Sequence, residues 1–248
     1  MRHGHALSAP ARRATRAEAL RIGGLTALST TDYPGHLAAV VFCQGCPWRC
    51  GYCHNPHLLA AHGAAGIGWD HVAAFLGRRA GLLDAVVFSG GEPLAQAALA
   101  AALRAVRRMG FRVALHTGGA YPQRLAQVLP LVDWIGFDVK AAFADYARIT
   151  ATPGSGDRAL ASAKLVIASG VEHEFRTTVH PRQHAPEALA LLADRLAALG
   201  VRRYVLQEFR AAGCADAGLR ADVPPSFITD AWCARVAPAF ESFAVRRG

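Results

Sequence analysis

Residues 37–53 read LAAVVFCQGCPWRCGYC, an apolar run that passes directly into a loop with four cysteines. The run at 37–42 is apolar and short, which predicts a buried β-strand. The loop begins where this strand is predicted to end. Its last three cysteines, Cys46, Cys50 and Cys53, follow the spacing C-x₃-C-x₂-C. The stretch therefore predicts a strand that carries three thiols at its C-terminal end.

The same strand-then-helix pattern continues along the chain. Further apolar runs that predict strands lie at 85–88, 112–115, 134–137, 175–179 and 204–206, and stretches with helical spacing lie at 94–109, 121–129, 157–169 and 186–199. Strands that alternate with helices pair in parallel through right-handed crossovers. Six such units are fewer than the eight that close a TIM barrel. We predict an α/β fold, an open, partial TIM-type barrel of about six βα units, with a doubly wound sheet as the alternative.

Chemically reactive side chains follow each predicted strand at the same end. The cysteine loop follows the first strand. The later strands are followed by SGGEP at 89–93, HTGG at 116–119, Asp138 with Lys140, His180, and Gln207 with Glu208 and Arg210. The carboxyl ends of parallel strands share one rim of a barrel, which is where such folds carry their active sites. We therefore expect these residues to surround a single site.

Length and composition indicate one globular core domain. The chain has 248 residues, of which 52% are hydrophobic and 18% charged. No apolar run reaches the roughly 18 residues that a membrane-spanning helix needs, so we expect no membrane association. Residues 1–22 carry five arginines against one glutamate and lack an apolar core, which predicts a basic, flexible tail and no secretory signal. Residues 23–248 form the predicted core domain, with a short C-terminal extension from about residue 211.

The charge and cysteine patterns exclude two further classes. The tail contributes +4 of the net charge of +9, five arginines minus one glutamate, and the remaining excess is spread along the chain without a basic block. Nucleic-acid binding requires a clustered basic stripe with interleaved aromatic residues, so no nucleic-acid partner is expected. Four cysteines packed this closely, without an export signal, indicate metal binding in a reducing compartment and not a disulfide scaffold. We expect a cytoplasmic protein.

Three thiolates on one short loop can hold three corners of a cubane 4Fe–4S cluster. The fourth iron then lacks a protein ligand and is open to a substrate or cofactor, as in catalytic metal sites. Cys43 is expected to be a bystander at the strand end, because a fourth ligand would close that position. Cys214 and Cys233 are expected to be ordinary packed residues. The non-enzymatic alternative is a binding module that holds zinc or an iron–sulfur cluster with all four clustered cysteines.

The cysteine motif, with Tyr52 before its last cysteine, resembles the signature of the radical S-adenosylmethionine (SAM) superfamily. Three further strings are similar to those of the glycyl-radical-enzyme activases: DYPG at 32–35, QGC at 44–46 and YCHNP at 52–56. Within that group the chain most resembles the proteins that activate anaerobic ribonucleoside-triphosphate reductases. The resemblance covers roughly residues 23–210.

This resemblance implies both cofactors and a reaction. It makes Cys46, Cys50 and Cys53 the ligands of a 4Fe–4S cluster and places SAM at the open iron. One electron from the reduced cluster breaks the S–C5′ bond of SAM, and the 5′-deoxyadenosyl radical so formed takes a hydrogen atom from the target. The cofactors carry the chemistry, while the protein positions them and excludes water.

The resemblance also assigns the residues that contact SAM. Gly90, Gly91 and Glu92 match an element along the methionyl group, where glycines allow close approach and a carboxylate accepts from the amino group. The other contacts assigned in this way are Tyr52 with adenine, Thr117, Asp138, and Lys140 near the SAM carboxylate. From its place on the fifth predicted strand, Arg176 could also reach a carboxylate or ribose from the barrel interior. The chain departs from the activases at 116–119, where HTGG stands in place of Asp-Thr-Asn-Gly. Because the aspartate is missing, any contact with a cation or with the SAM carboxylate that this position carries is in doubt.

Each assignment has a structural alternative. The Gly-Gly-Glu-Pro segment also suits a strand-to-helix turn. Tyr52 could instead be a core aromatic residue, and Asp138 with Lys140 could form a surface ion pair. Arg176 could face outward from its strand. His54 could tune the cluster through a hydrogen bond to sulfur or be an ordinary loop histidine. The roles of His116 and His180 stay open.

Three functions within this chemistry are compatible with the sequence. The first is an activase that installs a glycyl radical on an anaerobic ribonucleoside-triphosphate reductase, reduced by a flavodoxin or ferredoxin-type donor. The short chain, the YCHNP string and the lack of a second cysteine-rich domain favour it. The alternatives are an activase of another glycyl radical enzyme, such as pyruvate formate-lyase, and a small-molecule enzyme similar to 7-carboxy-7-deazaguanine synthase.

Overall fold

The computed structural model describes residues 16–62, 66–221, 223, 225–226 and 228–247. Its strands are β1 (Ile22–Ser29), β2 (Ala38–Cys43), β3 (Ala85–Gly90), β4 (Arg112–Thr117), β5 (Trp134–Asp138), β6 (Glu172–Val179), β7 (Arg203–Glu208) and β8 (Ser242–Arg246). Its α-helices are α1 (Trp69–Gly77), α2 (Leu99–Arg108), α3 (Pro122–Val128), α4 (Tyr146–Thr150), α5 (Ser155–Ser169), α6 (Pro186–Ala198), α7 (Ala217–Ala221) and α8 (Asp230–Val236). Within these described ranges, no helix has both the length and the apolar character needed to cross a membrane.

All eight strands form one sheet in the order of the chain. β1 pairs with β2 in antiparallel fashion, and every later pair is parallel. A doubly wound sheet would reverse its strand order at a switch point, which this sheet does not do. The sheet is not closed, because β1 and β8 form its two edges. The prediction of an open, partial TIM-type barrel is therefore confirmed.

The six predicted strands correspond to β2 through β7, and the four predicted helical stretches correspond to α2, α3, α5 and α6. Two strands were not predicted. β1 precedes the first predicted strand as an antiparallel edge. β8 comes from the C-terminal extension and adds a seventh parallel strand beside β7. The extension therefore takes part in the barrel sheet.

A small inner core fills the barrel at the end opposite the cysteine loop. Tyr33, from the connection between β1 and β2, is buried there with Val40, Val87, Ala114 and Trp134. The rings of Tyr33 and Trp134 stack with centroids 5.3 Å apart. Trp134 begins β5, so this packing lies at the amino ends of the strands. The carboxyl ends are left for the site.

The part of the predicted tail that the structure describes packs on the domain. Residues 1–15 lie outside the described residues. Ala17 and Leu20 are buried in the main core, and Arg21 N donates to the Gln96 side chain at 2.8 Å. The folded part of the chain therefore begins before residue 23.

Candidate active site

The carboxyl ends of the parallel strands surround a cavity of about 630 Å³. All eleven residues that the sequence assigned to the cluster and to SAM line this cavity: Cys46, Cys50, Tyr52, Cys53, Gly90, Gly91, Glu92, Thr117, Asp138, Lys140 and Arg176. Residues that the sequence did not assign also line it, among them Asp32, Trp48, His116, Gln207, Arg246 and Arg247. Residues after β2, β3, β4, β5 and β7 line this cavity as expected, whereas His180, which follows β6, is not part of the lining.

Hydrogen bonds from its own backbone shape the cysteine loop. Cys53 N donates to the Cys50 carbonyl at 3.1 Å, and Cys46 N donates to the Leu59 carbonyl at 3.1 Å. The buried Gln44 amide donates to the carbonyls of two residues later in the loop, at 3.1 and 2.7 Å. Because these backbone groups already have hydrogen-bond partners, the cysteine thiols are not needed to satisfy them and can face the cavity.

The three thiols influence one another and their neighbours. Burial raises the pKa of Cys46 to about 12, and the Glu92 charge adds to this. Burial also raises the pKa of Cys50, whereas the charge of the nearby Lys140 ammonium lowers it. A bound metal cation holds such thiols in the ionised form. Within the described residues, no three His, Cys, Asp or Glu side chains form a ligand group for a metal ion. A cubane cluster takes each thiolate on a different iron, so three cysteines placed around one cavity fit it.

The other three cysteines do not line the cavity. Cys43 is fully buried at the end of β2 and is not part of the cavity lining. Burial raises the pKa of its thiol far above the ordinary value. Cys214 is buried and its Sγ donates to the Gly51 carbonyl at 3.5 Å, while Cys233 is half-buried in α8. Three cysteines, not four, therefore face the cavity.

Glu92 is a buried carboxylate held by three donors. Thr117 Oγ1 donates to it at 2.7 Å, and the backbone N–H groups of Leu94 and Gly118 donate at 3.1 Å. Burial raises the pKa of Glu92 to about 7, although these hydrogen bonds lower it. The carboxylate is thus fixed in position at the cavity wall, where it can accept a hydrogen bond from a ligand amino group.

Gly90 and Gly91 are required by the protein's own backbone. A Cβ at Gly90 would lie 2.5 Å from Cys43 N, and a Cβ at Gly91 would lie 2.5 Å from the Gly45 carbonyl oxygen. Gly90 also has φ +114°, which side chains disfavour. Glu92 N donates to the Gly45 carbonyl at 2.8 Å. The close approach that the sequence assigned to a ligand is therefore made to the cysteine loop, and it joins the Glu92 segment to that loop.

Asp138 lies between two cations. Arg176 Nε donates to Asp138 Oδ1 at 2.9 Å, and Lys140 Nζ lies 3.4 Å from Oδ2. Burial alone would raise the pKa of Asp138, but the charges of Arg176 and Lys140 outweigh it and hold the pKa below its usual range. Arg176 is only 6% exposed and lines the cavity, so the outward-facing alternative is wrong. Two cations against one carboxylate leave a net positive charge that suits a ligand carboxylate.

His116 stands where the resemblance described above predicts an aspartate. Its Nε2 lies 2.8 Å from the Asp32 carbonyl oxygen and 3.2 Å from Arg176 Nη1. Nε2 must carry a proton to donate to Asp32 and must lack one to accept from Arg176, so one tautomer satisfies only one contact. Burial, followed by the Arg176 charge, lowers the pKa of His116 to about 4. The ring is neutral near pH 7.

Tyr52 and Trp48 contribute buried aromatic rings to the cavity wall. They are 4% and 3% exposed. Among the described residues, the Tyr52 hydroxyl and Trp48 Nε1 have no hydrogen-bond partner. Buried polar atoms of this kind are rare and call for an explanation. Both residues belong to the cavity lining, although the two polar atoms themselves have almost no accessible surface.

His54 and His180 both make structural contacts. His54 Nε2 lies 2.9 Å from the Arg210 carbonyl oxygen, and its ring lines the cavity. Burial is the main cause that lowers the pKa of His54. His180 is fully buried, with Nε2 3.1 Å from the Leu219 carbonyl oxygen. Both histidines connect the barrel to the segment that follows β7.

Comparison with known proteins identifies relatives of this chain. The profile of the Radical SAM superfamily matches residues 40–194. A Methanocaldococcus jannaschii protein named as a glycyl-radical enzyme activating enzyme is 30% identical over 198 residues, which cover 76% of this chain and 79% of that protein. The pyruvate formate-lyase-activating enzyme of Clostridium pasteurianum is 32% identical over 125 residues, covering 48% of this chain and 52% of that enzyme.

Solved structures share the fold at low sequence identity. SuiB of Streptococcus suis bound to its precursor peptide superposes with a TM-score of 0.61 at 14% identity, over 82% of this chain and 47% of SuiB. SuiB bound to SAM gives a TM-score of 0.59 at 13% identity, over 83% of this chain and 48% of SuiB. The chain spans about half the length of SuiB, and the likeness concerns the fold alone.

The family profile covers more than half of the chain, from the first parallel strand through α6, and includes the cysteine motif. The chain is an enzyme homologous to the glycyl-radical-enzyme activating enzymes. It therefore belongs to the radical SAM superfamily, whose members use a 4Fe–4S cluster and SAM.

Proposed function

We propose that this chain is an activase that installs a glycyl radical on an anaerobic ribonucleoside-triphosphate reductase. The observation that carries the proposal is the single cavity at the carboxyl ends of an open barrel, which brings the three motif cysteines together with Glu92 and Arg176. The homology to activating enzymes supports the reaction class. The DYPG and YCHNP strings support the choice of reductase.

Cys46, Cys50 and Cys53 would hold the cluster, and the remaining assigned residues would hold SAM. Glu92 would accept from the SAM amino group, and the positive charge around Asp138 would take its carboxylate. When bound and reduced, the cluster would supply one electron that divides SAM into methionine and a 5′-deoxyadenosyl radical, and this radical would take the Cα hydrogen of the target glycine. The products would be methionine, 5′-deoxyadenosine and a glycyl radical.

The chain's own residues prepare the site for this reaction. Hydrogen bonds fix the Glu92 carboxylate before a ligand arrives, and the ion pairs fix Asp138. The buried rings of Tyr52 and Trp48 exclude water from the cavity wall. The open side of the barrel leaves room for a polypeptide loop. We further propose a flavodoxin or ferredoxin-type electron donor and a cytoplasmic location, where free thiols stay reduced.

The homology to the Clostridium pasteurianum enzyme favours a second candidate, an activase of a pyruvate formate-lyase-type enzyme. The two candidates share the cluster, SAM and hydrogen abstraction. They differ only in the partner that presents the glycine, so one assay with both partners separates them.

The test is anaerobic incubation of the reconstituted enzyme with SAM, a chemical reductant and each partner in turn. We expect the doublet EPR signal of a glycyl radical on the reductase. A doublet on the formate-lyase alone would replace the first candidate by the second. Formation of 5′-deoxyadenosine that responds to a heterocycle and not to any partner protein would refute both.

A further inference from the structure

The cavity extends beyond the residues assigned to the cluster and SAM. Thr178 on β6 pairs in register with Gln207 on β7, which pairs in register with Arg246 on β8. Residues paired across parallel strands face the same side of the sheet. All three line the cavity, so they form one polar row across three neighbouring strands. We call Thr178, Gln207 and Arg246 the β6–β8 row.

Only part of this row is used by the protein itself. Arg246 donates two hydrogen bonds to the buried Glu174 carboxylate, at 2.8 and 2.9 Å. In the part of the chain that the structure describes, the Thr178 hydroxyl and the Gln207 amide make no side-chain hydrogen bond. Both side chains are half-buried, where water can satisfy them only in part. Their hydrogen-bonding capacity is available to a ligand.

Arg210 lies on the rim just beyond β7 and also lines the cavity. Its side chain is exposed, and among the described residues its guanidinium has no ion pair or hydrogen bond. Its neighbour Arg247 is paired with Glu208 at 2.9 Å. That pair neutralises itself, whereas the Arg210 guanidinium adds a positive charge to this part of the rim. A guanidinium in this position recognises a carboxylate.

The chemistry of these groups selects one kind of ligand. A glutamine amide both donates and accepts, as a peptide group does, and a threonine hydroxyl can do the same. A small anion would instead need several converging cations, and the Arg246 guanidinium is already occupied by Glu174. Unused amide and hydroxyl groups beside one free guanidinium suit an extended polypeptide that carries an acidic side chain.

We propose that Thr178 and Gln207, with Arg210 on the rim, form the subsite for the target polypeptide, and that an acidic residue near the reacting glycine pairs with Arg210. The subsite rests on the proposed function and specifies how the partner is recognised. The β6–β8 row adjoins Arg176 on the same strand as Thr178, so the bound polypeptide would lie beside the residues assigned to SAM.

The experiment compares the wild-type enzyme with Gln207→Ala/Arg210→Ala and with Arg210→Glu, each reconstituted and incubated with SAM, reductant and the reductase. Arg210 is exposed, so its substitution tests recognition without disturbing the core. We expect the apparent KM for the reductase to rise about tenfold or more, the loss expected for one hydrogen bond to a charged group. The number of glycyl radicals formed per molecule of 5′-deoxyadenosine released should fall as the KM rises.

The matched control is Arg202→Ala, which removes an exposed arginine paired with Glu241 outside the cavity lining. It should keep the wild-type KM. If the wild type forms the glycyl radical and the Gln207 and Arg210 variants show an unchanged KM, the subsite is refuted while the proposed function stands. If the wild type forms no glycyl radical on any partner, the proposed function is refuted and the subsite with it.

Discussion

Gly136 on β5 determines where the Arg176 guanidinium can lie. A Cβ at Gly136 would be 2.6 Å from both Cζ and Nη1 of Arg176. The absence of a side chain therefore lets Arg176 reach Asp138 at 2.9 Å from inside the barrel. In the sequence Gly136 reads as part of an apolar strand, and nothing marks it as a determinant of the site.

Gly136→Ala should weaken SAM binding. The added methyl group displaces the guanidinium and breaks its hydrogen bond to Asp138, which disturbs the charge proposed to hold the SAM carboxylate. We expect the dissociation constant of SAM to rise about tenfold, as for loss of one charge-assisted hydrogen bond. Calorimetric titration of the cluster-loaded enzyme measures it. Gly24→Ala is the control, since its Cβ would make only ordinary contacts of 3.7 Å or more with Phe42. Equal SAM affinity in both variants would contradict the expectation.

Replacing any one of Cys46, Cys50 and Cys53 by alanine should abolish the cluster, whereas Cys43→Ala should retain it. The first three thiols line the cavity, and Cys43 is buried outside it. Iron and sulfide content after anaerobic reconstitution, with the visible absorbance of the cluster, measures the outcome. Loss of the cluster from Cys43→Ala alone would reverse the ligand assignment.

Glu92 should make the stability of the cluster-free protein depend on pH. Burial raises its pKa from 4.5 to about 7, so the folded state holds this proton more tightly than the unfolded chain does. Its contribution to the free energy of unfolding therefore falls as pH rises through this interval, by roughly 3 kcal/mol. Glu92→Gln should gain stability relative to the wild type between about pH 5 and about pH 8. Denaturant unfolding at both pH values tests this, and a constant difference would argue against it.

The motif residues could be predicted from the sequence because their spacing and their places after strands carry the chemistry. Trp48, which lines the cavity, could not, because it reads as an ordinary packing residue in the sequence. The hydroxyl of Tyr146, which lies outside the lining, accepts a hydrogen bond from Lys140 N at 2.9 Å, and this contact depends on the fold. The burial of His116 beside Arg176 likewise depends on the register of β4, β5 and β6.

At the level of elements, the sequence predicted the buried strands and missed the two edges. β2 through β5 are almost wholly buried and therefore read as continuous apolar runs. β1 is mostly exposed after Ile22 and includes two glycines, and β8 is at best half-buried along its length. Edge strands lack the pattern by which a buried parallel strand is recognised.

The edge strand β8 is tied to the barrel by Arg246, and Arg246→Ala should destabilise the fold. Glu174 has a side chain only 9% exposed and would lose two donors at once. An unsatisfied buried acceptor costs roughly 1–3 kcal/mol in the free energy of unfolding. Urea unfolding measures the loss, and Arg202→Ala, an exposed pair, should show no measurable change. Equal stability of the two variants would show that the Arg246 pair does not anchor β8.

For the whole molecule, the alternation of strands and helices was sufficient to predict an open barrel with its site at the carboxyl ends. The alternation does not predict how far the sheet continues beyond β7. The C-terminal extension continues it through β8 and brings Arg246 and Arg247 to the cavity.

The central claim is that this enzyme takes a hydrogen atom from a glycine Cα of its partner. The most direct test uses an anaerobic ribonucleoside-triphosphate reductase labelled with Cα-deuterated glycine, incubated with the reconstituted enzyme, SAM and reductant. We predict that mass spectrometry will find deuterium in the 5′-deoxyadenosine, together with a glycyl-radical EPR signal on the reductase. Release of 5′-deoxyadenosine without deuterium, and with no radical on the partner, would contradict the claim.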